Sequence, residues 1–105
     1  MPLSQEDKKH FRAIGHHLKP VLMLGDAGVT DGVLEELDRR LTDHELIKVK
    51  ISAPTREARS QLIEQLCEHS NARLIQRIGN MALLYRPASK PNTKLSNVLR
   101  YQEKG

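Results

Sequence analysis

Residues 21–41, VLMLGDAGVTDGVLEELDRRL, decide the fold class because the hydrophobic pattern changes within them. They begin with four apolar residues, a run that is typical of an inner strand covered on both faces. A loop with Gly25 and Gly28 follows, and Thr30 then predicts a helix N-cap. After Thr30, apolar residues recur at helical spacing, at positions 33, 34, 37 and 41. The stretch therefore predicts a strand, a glycine loop and an amphipathic helix, which together are a building unit of α/β domains.

Patterns outside this stretch complete the set of elements. Ser4 followed by Asp7 predicts a capped first helix, and Pro54-Thr55 predicts the start of a third helix. Gly79-Asn80 between two apolar runs is typical of a type II′ β-hairpin. The predicted elements are a helix over 4–15, a strand over 21–24, a helix from Thr30, a strand over 45–52, a helix from Pro54, and strands over 73–78 and 81–86.

The order α-β-α-β-α-β-β contains two crossover connections and one hairpin. Right-handed crossovers place the second and third helices on one face of the sheet if the sheet grows in one direction. In the strand over 45–52, apolar residues alternate with Lys48 and Lys50, so the two lysines lie together on the other face. We therefore expect an α/β two-layer sandwich with a four-stranded mixed sheet, whose lysine-bearing face stays at least partly open.

The positive charge is concentrated at the end of the chain. Residues 1–85 carry twelve basic and twelve acidic side chains, whereas residues 86–105 carry five basic and one acidic, which gives the net charge of +4. We expect a domain over 1–87 and a flexible basic tail over 88–105, because this segment contains proline and few apolar residues. Such a tail fits a polyanionic partner, usually nucleic acid, and equally fits a solvated extension that only aids solubility.

The loop Gly25-Asp26-Ala27-Gly28 is a G-x-x-G motif. Glycines let backbone N–H groups approach a phosphate closely, and the helix capped by Thr30 adds a partly positive end. The same residues also fit a tight strand-to-helix turn that binds nothing. Five cations on neighbouring elements fit either one basic patch or an ordinary solvated face: Lys19, Lys48, Lys50, Arg77 and Arg86.

Composition and missing motifs disfavour several classes of function. The chain has only three aromatic residues, so stacking of single-stranded bases on aromatic platforms is not expected. The phosphate-binding and nucleophile motifs of common enzymes do not occur, so we expect no catalytic residue and no cofactor. Cys67 and His69 lack the second ligand pair of a zinc site, and we interpret Cys67 as a small buried residue. No apolar run approaches the roughly 20 residues of a membrane span, and the single cysteine indicates a cytoplasmic protein.

Three segments taken together resemble the YhbY family, the bacterial stand-alone form of the CRM domain (chloroplast RNA splicing and ribosome maturation). They are HHLKPVLMLGDAGVTDGVLEEL at 16–37, HELIKVKI at 44–51 and RIGNMALLYRP at 77–87. The resemblance covers roughly residues 3 to 87, in order and with the expected spacing. It implies a fold similar to the C-terminal domain of translation initiation factor 3. It also maps the family's glycine loop onto Gly25–Gly28 and its basic strand surface onto Lys48 and Lys50.

The function implied by the resemblance is RNA binding on precursors of the large ribosomal subunit, in support of ribosome assembly. We expect ribosomal RNA or the precursor particle as partner, with no membrane, no small-molecule substrate and no metal, and a monomeric chain. One departure concerns the loop, because Asp26 and Ala27 stand where relatives often have polar or basic residues. Asp26 beside a phosphate is repulsive, so it either caps the turn or leaves contact to the backbone amides alone. The alternative function is a protein-interaction module that docks on a ribosomal protein or assembly factor through Glu35, Glu36 and Asp38.

Overall fold

The computed structural model describes residues 3–102, with side chains described up to residue 99. Its elements are, in chain order, α1 (Gln5–Gly15), β1 (Pro20–Leu24), α2 (Asp31–His44), β2 (Leu46–Ile51), α3 (Arg56–Ser70), β3 (Arg73–Ile78), β4 (Met81–Tyr85) and α4 (Asn97–Gln102). The first seven elements confirm the predicted order. No helix within residues 3–102 combines the length and the apolar character needed to cross a membrane.

The four strands form one mixed sheet in the order β1-β2-β4-β3. Strand β1 pairs parallel with β2, whereas β4 pairs antiparallel with both β2 and β3. The four-stranded mixed sheet is therefore confirmed. The prediction that residues 21–24 form an inner strand covered on both faces is wrong, because β1 is an edge strand and the side chains of Val21 and Met23 are exposed.

The main hydrophobic core lies between one face of the sheet and the pair α2 and α3. The two crossovers place both helices on this face, as predicted. Strand β2 contributes Ile47, Val49 and Ile51 to this core, and each is at most 1% exposed. The other buried members are Leu22, Leu24, Leu37, Leu41, Ile63, Leu66, Ala72, Ala82 and Leu84.

Helices α1 and α4 lie on the opposite face of the sheet and form a partial third layer beside the expected two. A second core cluster joins Phe11 and Ile14 of α1 to Leu46, Ile75 and Leu83 of the sheet. The end of α1 comes very close to β4, since a Cβ built on Gly15 would lie 2.7 Å from Leu83 Cδ2. Helix α1 ends at Gly15, so the part of this face beyond it is left uncovered.

The predicted caps and turn are present. Ser4 Oγ accepts the Asp7 N–H and Asp7 returns a bond to the Ser4 N–H, which makes a capping box. Thr30 Oγ1 accepts the Val33 N–H at the start of α2. Gly79 has a φ of +57°, while Asn80 is not left-handed, as a type II′ turn requires.

The segment after β4 differs from the free tail expected over 88–105. Ser96 and Asn97 are buried, and α4 contacts α1 and β2. Ser96 Oγ donates to the Glu45 carboxylate at 2.6 Å, and the Asn97 side-chain amide donates to Leu46 O at 2.7 Å. These bonds hold the chain against the body near residues 96–97, because breaking either one would leave a buried polar group without a partner. Residues 103–105, including Lys104, lie outside the described residues.

Candidate nucleic-acid interface

The two lysines of β2 project from the side of the sheet opposite the main core. In the register, Lys50 stands between Met23 of β1 and Met81 of β4. Lys48 stands two positions earlier, beside Leu83. Both lysines are half-buried, so their aliphatic stems pack on the sheet while the ammonium groups reach solvent. The predicted pairing of the two lysines on one face is present in the structure.

Apolar side chains surround these lysines on the part of the sheet that α1 leaves uncovered. Met23 is 68% exposed and Ile78 is 58% exposed, at the two edges of the row that contains Lys50. Here the open sheet face denotes the residues Val21, Met23, Lys48, Lys50, Ile78 and Met81. An exposed apolar surface with lysines inside it is unusual for a surface that contacts only water.

The G-x-x-G loop stands at the end of β1, next to this face. Gly28 N–H donates to Gly25 O at 3.0 Å, and Gly28 has a φ of +68°. The turn is thus closed by main-chain atoms, and within residues 3–102 the Asp26 carboxylate makes no hydrogen bond that would cap it. Asp26 and Ala27 are exposed at the tip of the loop. The structure therefore does not support a capping role for Asp26, and any contact of the loop with a phosphate is left to its backbone amides.

Two other connections lie beside the G-x-x-G loop at the same end of the strands. Ser52 N–H, just after β2, donates to Leu24 O at 3.0 Å, and Ile51 N–H donates to Asn80 O at 2.7 Å. The β1 loop, the β2 loop and the β3–β4 turn are therefore neighbours. Helices α2 and α3 start soon after the first two of these loops. Their N-termini, which are partly positive, therefore lie at this same end of the strands.

Lys19 lies near Lys48 although 29 positions separate them in the chain. Both line a cleft of about 280 Å³ with His44 and Asn97. A smaller cleft of about 110 Å³ at the end of α1 is lined by Lys48 and His16 among others. The structure thus brings Lys19 close to Lys48 at the start of β1, while the glycine loop and Thr30 follow the other end of the same strand.

Arg77 and Arg86 do not join this group, which corrects the expectation of a single patch. Arg77 pairs with Ala82, a core residue, so its side chain lies on the α3 side of the sheet. It donates to Ser60 Oγ and, at 3.0 Å, to Arg56 O. A strand alternates faces at every residue, and the bulge between Leu74 and Gln76 shifts that alternation, which the sequence did not reveal.

Arg86 is a connector between helices. Its side chain is 20% exposed, and the guanidinium donates to Asp38 Oδ1 at 2.9 Å, Asp38 O at 3.1 Å, Thr42 Oγ1 at 3.0 Å and Ser70 O at 3.1 Å. These bonds join the end of β4 to α2 and α3. Because its N–H groups are largely used within the fold, Arg86 has little left to offer a phosphate.

Two acidic side chains of α2, Glu36 and Asp38, are paired within the protein. Glu36 accepts from Arg39 and Arg40 at 2.8 Å each, and Asp38 pairs with Arg86. Only Glu35 of the three proposed docking residues has no ion pair within residues 3–102.

Burial raises the pKa of the half-buried Cys67 thiol, which therefore stays protonated at neutral pH and is a poor nucleophile.

The exposed apolar residues Met23 and Ile78 were not predicted as part of the site. The run at 21–24 contains no polar residue, so alternation gives no sign of which side chains face solvent. Their exposure follows from strand order, since β1 and β3 are the two edges and α1 stops short of them. The order of strands in a sheet depends on pairing between segments far apart in the chain, so no short stretch of sequence indicates it.

Comparison with known proteins gives consistent relatives. The sequence model of the CRS1/YhbY (CRM) domain matches residues 3–86. The chain is 54% identical over 101 residues to a Pseudomonas aeruginosa protein named "Probable RNA-binding protein", covering 96% of this chain and 97% of the relative. It is 40% identical over 93 residues to a Haemophilus influenzae protein named "RNA-binding protein", covering 89% and 94%.

A solved structure agrees with the fold. The solution structure of a Staphylococcus aureus protein of proposed RNA-binding function superposes with a TM-score of 0.74 at 29% identity. The match covers 90% of this chain and 98% of the other.

Proposed function

The chain belongs to the CRS1/YhbY (CRM) domain family, and from this premise we propose that it binds structured ribosomal RNA in precursors of the large ribosomal subunit and assists their assembly. The names of its relatives support the RNA part of the proposal. The resemblance to the YhbY family supports the ribosomal part.

The observation that carries the proposal is the open sheet face beside the glycine loop. Lys48 and Lys50 place two ammonium groups on a partly apolar surface, and Lys19 adds a third at its side. Ammonium groups neutralise backbone phosphates, and such contacts give most of the affinity of an RNA-binding surface. Covering the exposed methionine and isoleucine side chains with the sugars and bases of the RNA removes apolar surface from water, which adds favourable binding free energy.

The same face favours structured RNA over unpaired bases. None of the residues of the open sheet face is aromatic. Phe11 and Tyr85, whose ring centroids are 4.5 Å apart, pack together in the second core cluster under α1. Without rings to stack on bases, recognition rests on the shape of the RNA and on its phosphates and 2′-hydroxyls.

In this proposal the glycine loop fixes the position of the RNA. Backbone N–H groups of the Gly25–Gly28 loop and of the start of α2 after Thr30 face a phosphate at the end of β1, except the Gly28 N–H, which already donates to Gly25 O. Asp26 remains exposed and unpaired within residues 3–102, so the backbone supplies the attraction and the carboxylate limits it. The loop therefore contributes more to the position of the RNA on the protein than to the binding affinity.

In this proposal the protein acts by binding RNA, as a monomeric, non-catalytic assembly factor in the cytoplasm. Docking on a protein partner through the acidic side of α2 is the less favoured function, because Glu36 and Asp38 already pair with arginines of the same chain.

Charge reversal on the open sheet face tests the proposal. Lys48→Glu/Lys50→Glu should abolish binding to ribosomal RNA and RNase-sensitive co-sedimentation with large-subunit particles. Lys9→Glu/Arg73→Glu is the matched control, because it changes the net charge equally at two exposed positions outside that face. Unchanged RNA affinity in a folded Lys48→Glu/Lys50→Glu protein would refute the assignment. Co-sedimentation that survives RNase would favour a protein partner.

A further inference from the structure

Three arginines that have no acidic partner within residues 3–102 line one cleft on the α3 side of the sheet. Arg56, Arg59 and Arg77, together with Gly79, enclose about 330 Å³ between the start of α3 and the β3–β4 turn. The ion pairs within residues 3–102 involve Arg39, Arg40 and Arg86, and none involves these three. Neighbouring like charges repel each other, so this cleft is suited to an anion.

Two of the guanidinium groups are held in place by the fold. Arg77 donates to Ser60 Oγ and to Arg56 O, and Arg59 Nη1 donates to Ala53 O at 3.2 Å. All of these acceptors are uncharged, so the bonds fix the side chains without neutralising them. An anion that binds here meets donors that are already ordered and loses less entropy in ordering them.

One donor in the cluster is buried and unused. Arg59 Nε is shielded from solvent and has no hydrogen-bond partner within the part of the chain that the structure describes. A buried N–H without an acceptor destabilises the protein, and native structures rarely leave one.

The start of α3 adds to the positive potential. Thr55 Oγ1 caps the helix by accepting the Ala58 N–H at 3.0 Å, and the helix runs for 15 residues. Its N-terminal end therefore has a partly positive charge next to Arg56 and Arg59. Glu57 lies in the same turn, but it is exposed and pairs with none of the three arginines.

The cleft and the open sheet face lie on opposite sides of the sheet. Arg77 and Ile78 are consecutive residues of β3 that point to opposite faces, so the cleft and the row of Lys50 are separated by the β3–β4 turn. That turn carries Gly79, whose φ is +57°, and a Cβ there would meet nothing within 4 Å. A chain of phosphates could pass close to this glycine from one face to the other.

We propose that the cleft of Arg56, Arg59 and Arg77 binds a backbone phosphate of the same RNA that covers the open sheet face. This inference rests on the proposed function and adds to it a second contact on the opposite side of the sheet. Guanidinium groups suit this ligand because their planar N–H pairs match the geometry of phosphate oxygens.

The salt dependence of binding tests the proposal. Affinity for a ribosomal RNA fragment is measured at several salt concentrations for the wild type, for Arg56→Gln/Arg59→Gln and for the control Lys9→Gln/Arg73→Gln. Loss of one phosphate contact should lower the slope of log affinity against log salt by about 0.7 to 0.9. The affinity should fall by roughly tenfold, as expected for a charged hydrogen bond. The control should keep the slope of the wild type.

A direct readout comes from the Nε–H resonance of Arg59 in ¹⁵N-edited NMR spectra. It should shift when the RNA fragment is added. If Arg56→Gln/Arg59→Gln does not fold, Arg56→Gln alone serves, because its exposed side chain makes no hydrogen bond within residues 3–102.

Three outcomes would overturn the inference. An unchanged slope in the folded cleft variant, with binding lost in Lys48→Glu/Lys50→Glu, overturns the cleft and leaves the proposed function standing. A shift of Arg59 Nε–H with inorganic phosphate but not with RNA makes the cleft an anion site unrelated to RNA. A wild-type protein that binds no ribosomal RNA removes the proposed function and this inference together.

Discussion

Alanine in place of Gly28 should destabilise the protein, whereas alanine in place of Gly25 should not. Gly28 has a φ of +68°, and a left-handed backbone costs a residue with a Cβ about 1–2 kcal/mol. The added Cβ would lie 3.5 Å from Leu62 Cδ2, an ordinary contact, so the expected loss comes from the backbone alone.

Gly25 is the matched control within the same loop. It is not left-handed, and a Cβ there would meet nothing within 4 Å. Alanine at such a position restricts the unfolded chain and stabilises the protein by about 0.4–1 kcal/mol. The two variants should therefore differ by roughly 1.4–3 kcal/mol in the free energy of unfolding.

Urea and thermal unfolding followed by circular dichroism measure this difference. For a domain of this size it corresponds to a gap of roughly 6 °C or more between the two melting temperatures. The urea m-values should match, since neither change alters the surface exposed on unfolding. Equal stability of the two variants would refute the assignment of conformational strain to Gly28.

The same loop gives a separate result for RNA binding. If backbone amides of the loop contact a phosphate, Ala27→Glu should weaken RNA binding more than it weakens folding, because it adds a second carboxylate beside Asp26 at an exposed tip. A well-folded Ala27→Glu protein with wild-type affinity would leave the loop with a structural role only.

Three further changes test the remaining contacts. Arg86→Gln should lower the free energy of unfolding by about 1–3 kcal/mol in urea titrations, because it removes hydrogen bonds that join β4 to α2 and α3. The RNA affinity of the folded protein should stay unchanged. A loss of affinity without a loss of stability would show instead that Arg86 contacts RNA. Burial, followed by the charge of Glu45, raises the pKa of Tyr85 above 10.0, so the folded state holds this proton more tightly and stability should fall as the pH rises above about 10. Tyr85→Phe should lose part of this alkaline decline, and an identical pH profile would contradict the assignment. Lys90→Gln/Lys94→Gln changes two exposed residues without touching the Ser96 anchor and should lower the salt slope of RNA binding by about 1.4–1.8 if both lysines contact phosphates; an unchanged slope would place the contacts on the body.

Local sequence signals were sufficient for the elements and for one face of the site. The caps at Ser4 and Thr30, the Gly79-Asn80 turn and the alternation around Lys48 each depend on residues a few positions apart, and each has the predicted conformation. The partners of Arg77 and Arg86 depend on strand order and on a bulge in β3, and no short-range pattern encodes them. For the same reason the edge position of β1 and the exposure of Met23 became visible only in the folded chain.

Glu45 explains why the segment around Ser96 could not be predicted from its own composition. This residue has a φ of +61°, which is uncommon for a side chain other than glycine or asparagine and persists only where surrounding contacts fix it. Its N–H donates to Leu41 O, and its buried carboxylate accepts the Ala88 N–H at 2.8 Å and the Ser96 hydroxyl at 2.6 Å. The start of β2 and the docking of the later segment therefore stabilise each other. Removal of residues 88–105 would leave a buried carboxylate without these donors, so the truncated protein should lose stability as well as charge. Because Asn97 lines the same cleft as Lys19 and Lys48, this anchored segment also belongs to the border of the proposed RNA surface.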